Sequence, residues 1–152
     1  MSYDFTEHHK RKLVSWVENH HLAPEVFITF DLKTRDVEEF ESKMRRLLVK
    51  TSKYSKSHIG AVGGYERSPD RIHGHLVVLT ETGKNSLKKG FLDQRWSIGK
   101  TDERYFDSSE KTSAKLATFY ALNHELQVQF RDFCPNPRKC CSDFCAHSRK
   151  KR

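Results

Sequence analysis

Residues 65–80 read "YERSPDRIHGHLVVLT" and follow a first apolar run, "SHIGAVGGYE", at residues 57–66. Pro69 and Asp70 supply turn chemistry between the two runs. The pair therefore reads as an antiparallel hairpin whose second arm is "IHGHLVVLT". In a strand, residues i and i+2 project from the same face, so His73 and His75 stand side by side with Gly74 facing the other way. If the chain turns through Arg67 to Arg71, Glu66 lies opposite the start of the second arm and close to His73. Cross-strand Cβ atoms are about 4.5 to 5.5 Å apart, a distance that lets a carboxylate and an imidazole share one ion.

Working outward, "PEVFITFDL" at 24–32 alternates Val26, Ile28, Phe30 and Leu32 against Phe27, Thr29 and Asp31, the pattern of a strand. Residues 6–20 space Leu13, Trp16 and Val17 as a short amphipathic helix behind Thr6. Residues 34–55 place Val37, Phe40, Met44, Leu47 and Leu48 on one side of a second, charged helix. Downstream, 82–94 reads as a connection with room for a short helix, and "RWSIG" (95–99) and "RYFD" (104–107) as short strands. A final helix is expected to open at Asp107, whose spacing to Glu110 suits a capping box, and to run to Phe130. On it Phe119, Leu122, Leu126 and Phe130 form an apolar stripe. Tyr120, Asn123, His124 and Gln127 occupy a separate polar arc. This order implies an α+β fold: a central antiparallel sheet of about five strands with helices packed on its faces, RRM-like or ferredoxin-like.

The chain has 152 residues, enough for one core, and the composition supports a folded domain. A formal net charge of +8 predicts an anionic partner, nucleic acid first. No apolar run approaches the roughly 20 residues that span a bilayer, and the N-terminus lacks the apolar centre of a signal peptide. An intracellular, cytoplasmic location without membrane association is expected. All four cysteines, Cys134, Cys140, Cys141 and Cys145, fall in the C-terminal stretch. In a reducing compartment they are candidate ligands for a structural Zn²⁺, with free thiols as the alternative. Residues 1–132 are thus read as the functional domain and 133–152 as a Cys-rich basic tail.

Two imidazoles and a carboxylate with open coordination positions suit Mn²⁺, Mg²⁺, Fe²⁺ or Zn²⁺, and a site facing phosphate favours the harder ions Mn²⁺ or Mg²⁺. A tyrosine beside such a site can attack a phosphodiester that a metal polarises. Three blocks, "VFITFDL", "YERSPDRIHGHLVV" and "AKLATFYALNHE", occur in the order found in the HUH-superfamily rolling-circle replication initiators. These are single-strand nicking endonucleases, and the blocks span roughly residues 25 to 130. "RWSIGKTDERYFD" is similar to their Trp- and Gly-containing connection.

The resemblance implies a single-tyrosine enzyme of the HUH fold. Glu66, His73 and His75 would hold the metal, and Tyr120 would form a 5′-phosphotyrosine link at a replication origin. Asn123 or His124 would stand in for a lysine that the family commonly carries three residues after the tyrosine, unless that role has moved. Gly74 is the second departure, since the family usually has a bulky apolar residue between the histidines. The implied partners are single-stranded DNA at an origin, as a stem-loop or unwound, and a host or separate helicase, because no helicase motif is present. Two other readings compete: a single-tyrosine transposase of an insertion sequence, and a non-catalytic module binding single-stranded nucleic acid.

Overall fold

The structure is a computed structural model that describes residues 2–34, 36–84, 86–87, 92, 99–106, 121–122 and 126–135. Its elements are helix α1 (Ser2–Asn19), strand β1 (Ala23–Leu32), helix α2 (Val37–Ser55), strands β2 (Ile59–Arg67) and β3 (Ile72–Thr80), then β4 (Gly99–Tyr105) and β5 (Leu126–Phe133). The strands form one open antiparallel sheet in the order β4-β1-β3-β2-β5. Helix α2 carries the chain from β1 over to β2, and β3 then returns between them. This split crossover is the ferredoxin-like arrangement, an α+β fold.

Each face of the sheet is covered by a different element. Val26, Ile28, Phe30 and Leu32 of β1 join Ile72, Leu76 and Val78 of β3 in one buried layer with Phe40, Met44, Leu47 and Leu48 of α2. The opposite layer contains Val62, Val77 and Leu79 of the sheet with Leu13, Val14 and Val17 of α1, and also Ala121 and Leu122. The first layer is the α2 face of the sheet and the second its α1 face. Helix α2 is well delimited: Asp36 accepts hydrogen bonds from the Glu38 and Glu39 backbone N–H groups, and Lys56 ends the helix in the left-handed conformation at φ 55°. Among the described residues no helix is long and apolar enough to cross a membrane.

The strand Leu126–Phe133 replaces the last part of the helix expected to reach Phe130. Leu122, Leu126 and Phe130 recur every four residues, a spacing that is both one helical turn and a multiple of the strand period. "LQVQFRDF" also alternates Leu126, Val128 and Phe130 with polar residues, and its Val128 and Phe130 are buried in the α2-face layer. The sheet pairing of β5 with β2 decides between the two periods. Residues 107–120 of that expected helix, and the short helix expected between 82 and 94 apart from Thr82–Lys84, Ser86, Leu87 and Leu92, lie outside the described residues. In place of the two short strands expected at 95–99 and 104–107 there is one, Gly99–Tyr105, which overlaps the first at Gly99 and the second at Arg104 and Tyr105; 95–98 and 107 lie outside the described residues.

The end of the sheet where β1 begins is closed by buried polar ties. The β1–β3 register slips between Pro24 and Val26, which leaves Glu25 as the extra residue of a bulge. Its carboxylate is buried and accepts from Thr80 Oγ1 at 2.9 Å and from the backbone N–H groups of Ser86 at 3.1 Å and Leu87 at 2.6 Å. Nearby, buried His58 meets the Glu81 carboxylate through Nδ1 at 2.6 Å. Glu25→Ala would leave two backbone donors and a hydroxyl without their acceptor. We expect it to cost roughly 2 to 4 kcal/mol of folding stability, with Glu25→Gln losing less, as read by urea unfolding.

Candidate functional site

The opposite end of the α1 face is built on three transverse rows. Phe27, Val77 and Val62 are register partners across β1, β3 and β2; Thr29, His75 and Gly64 form the next row; Asp31, His73 and Glu66 form the last. Moving along the strands, the face passes from apolar residues, through small and hydroxyl-bearing ones around a histidine, to ionisable groups. His75 is buried, while His73 and Glu66 are exposed. The last row therefore opens to solvent just beyond the apolar layer.

The hairpin register matches the sequence reading, with Glu66 directly opposite His73. The turn is closed by the Ser68 backbone N–H donating to the Arg71 carbonyl at 2.9 Å. The imidazoles of His73 and His75 stand edge to face with centres 5.5 Å apart. Among the described residues, however, no three His, Cys, Asp or Glu side chains are gathered as a ligand set. Glu66 thus occupies the expected register position without closing onto the imidazole pair.

His75 is held on two sides. Its Nδ1 lies 3.0 Å from Thr29 Oγ1, and its ring stacks on Phe27 with centres 5.1 Å apart. Thr29 and Phe27 both belong to the face of β1 whose alternation the sequence displays, so pairing that face with His75 would have found them once the β1–β3 register was known. Asp31 also escaped the sequence reading. It flanks His73 on the side away from Glu66, and its Oδ2 accepts from Arg71 Nη1 at 3.1 Å.

Gly74 has a steric explanation. A Cβ built there would meet the Gly64 carbonyl oxygen and come within 2.8 Å of Tyr65 Cα and Cβ. Tyr65 is the direct cross-strand partner of Gly74, is 5% exposed, and packs its ring 5.2 Å from that of Phe40 on α2. A ring from the neighbouring strand therefore sits beside the glycine in the α2-face core.

Tyr120, Asn123 and His124 lie outside the described residues, as do Cys140, Cys141 and Cys145; Cys134 is half-buried just after β5. Ala121 and Leu122, which directly follow Tyr120 in the chain, are buried in the α1-face layer with Val62 and Val77. Those two valines share their row with Phe27, two residues along each strand from the His75 row.

No family model, curated protein or solved structure matches this chain. Gly74→Ala would force its Cβ against backbone rather than against a movable side chain. A loss of about 1 to 3 kcal/mol is expected in denaturant titration, and unchanged stability would show that β2 and β3 can separate there freely.

Proposed function

We propose that this chain is a metal-dependent endonuclease and strand transferase of the HUH rolling-circle replication-initiator type, acting on single-stranded DNA at an origin. The observation that carries the reading is the open row Asp31, His73, Glu66 beside His75, with an imidazole pair on one face and a carboxylate in direct cross-strand register. Two imidazoles bound to one ion at about 2.1 Å have ring centres about 5 Å apart, close to the separation of His73 and His75. Glu66 is exposed and in direct register with His73, so its side chain is open to solvent on the strand that flanks the pair. The donors Glu66, His73 and His75 thus suit a harder divalent ion, Mn²⁺ or Mg²⁺.

When bound there, such an ion would neutralise charge developing on a scissile phosphate. His75 would use Nε2 as its ligand atom, with Nδ1–H donating to Thr29 Oγ1; that bond fixes tautomer and ring orientation together. Tyr120 is the nucleophile of this reading. Its phenolic oxygen forms a bond to phosphorus, the bond from phosphorus to the 3′ oxygen breaks, and the phenolic proton is balanced by the new 3′ hydroxyl. The phosphodiester energy is kept in the 5′-phosphotyrosine link, so reversal by another 3′ hydroxyl rejoins strands. Support for placing Tyr120 with the histidines comes from Ala121 and Leu122, which are buried on the same sheet face. Asn123 and His124 are the candidates to serve the phosphate after the tyrosine. The net charge of +8 suits the DNA backbone, and strand opening would come from a host or separate helicase. A structural Zn²⁺ on Cys134, Cys140, Cys141 and Cys145 would stitch down the tail.

Incubation with a pool of single-stranded oligonucleotides and Mn²⁺ or Mg²⁺ is expected to give a covalent protein–DNA adduct on a denaturing gel. EDTA and Tyr120→Phe should each abolish it. Absence of an adduct with every sequence and ion would remove the nuclease reading and leave the binding module. Separately, Thr29→Val should weaken Mn²⁺ binding about tenfold or more, measured by electron paramagnetic resonance, while leaving the fold intact.

A further inference from the structure

Beside the imidazole row stands a cation that the metal reading does not use. Arg71 closes the hairpin turn and reaches across to β1, where its Nη1 donates to Asp31 Oδ2 at 3.1 Å; its Nε lies 3.6 Å from Asp70 Oδ1. Asp31 is the β1 partner of His73, so the guanidinium is tied to the same row as the candidate ligands. Its backbone position is set by the Ser68 N–H bond to the Arg71 carbonyl. Both members of the pair are open to water, with side chains 51% and 40% exposed.

We infer that Arg71 is a phosphate-binding residue of this site, held at the imidazole row by Asp31 and handed over to the backbone of single-stranded DNA. The inference rests on the nuclease reading for its substrate. A guanidinium offers parallel N–H donors that match two phosphate oxygens as well as they match a carboxylate. An exposed ion pair contributes little to stability, so exchanging Asp31 for a phosphate costs little. The tether also sorts the two carboxylates that flank His73. Asp31 is engaged by Arg71, whereas among the described residues none forms an ion pair with Glu66, which leaves Glu66 as the carboxylate for an ion.

The test is fluorescence anisotropy with a labelled oligothymidylate in EDTA, over a range of salt concentrations, so that binding is read without cleavage. Arg71→Ala is expected to weaken binding about tenfold and to lower the slope of log Kd against log salt by about 0.7, one phosphate contact on a single strand. Arg71→Lys should keep the slope and lose part of the affinity, and it covers any disturbance of the turn by alanine. Asp31→Asn should tighten binding severalfold, and only while Arg71 is present. Affinity and slope unchanged in Arg71→Ala would overturn the inference. An equal gain from Asp31→Asn in the Arg71→Ala background would overturn the handover. Adduct formation by the unaltered protein is scored separately. A lost salt slope without any adduct removes the nuclease and keeps the phosphate subsite, while an adduct with an unchanged slope does the reverse.

Discussion

The register of the β2–β3 hairpin is the constraint on which the site depends. A slip of one residue would move every side chain of β3 to the other face, sending His73 and His75 under α2 and Leu76 and Val78 onto the α1 face. The two-residue tip of Pro69 and Asp70, closed by the Ser68 bond to Arg71, pins one end of the ladder. Apolar burial on both faces pins the rest, since Leu76 and Val78 lie against the α2 layer while Val77 and Leu79 lie against α1. No extra device is needed to align Glu66 with His73. The same register that buries the core aligns them.

Because β3 is central, its polar end receives a neighbour from each side. β1 brings Thr29 and Asp31, and β2 brings Gly64 and Glu66. This arrangement gives the two histidines different surroundings. His75, one row in, is stacked and hydrogen-bonded; His73, in the last row, stands exposed between two carboxylates. A ring that is already oriented suits a ligand, because less freedom is lost when an ion binds. The other end of the sheet behaves oppositely: there the charged residue, Glu25, is turned inward by a bulge, and its carboxylate accepts from Thr80 at the end of β3 and from the Ser86 and Leu87 backbone N–H groups.

Much of this was legible in the sequence because alternation survives in a sheet whose two faces are covered by different helices. The phase of Val26, Ile28, Phe30 and Leu32 gave β1 its faces, and "ERSPDRIH" placed Glu66 against His73. What was not legible required knowing which strands become neighbours. Thr29 and Asp31 were visible on the polar side of β1, but nothing local says that β1 pairs with β3. Glu25 looked like an ordinary charged residue at a strand start, since a bulge leaves no mark in composition. The helix expected to reach Phe130 failed where a four-residue recurrence serves both periods, and only pairing with β2 resolves it.

Gly74 shows how a departure from a pattern can be read physically. A bulky residue between two histidines would ordinarily fill the core behind them. Here that layer holds the ring of Tyr65, delivered from β2 and packed on Phe40. The side chain has moved across the ladder, so the core behind the histidines is filled while β2 and β3 approach more closely at this point. Without a Cβ on Gly74, the Gly64 carbonyl and the Tyr65 Cα can lie against it, in the residues just before Glu66. The glycine that departs from the family pattern is thus the residue that this packing of Tyr65 requires.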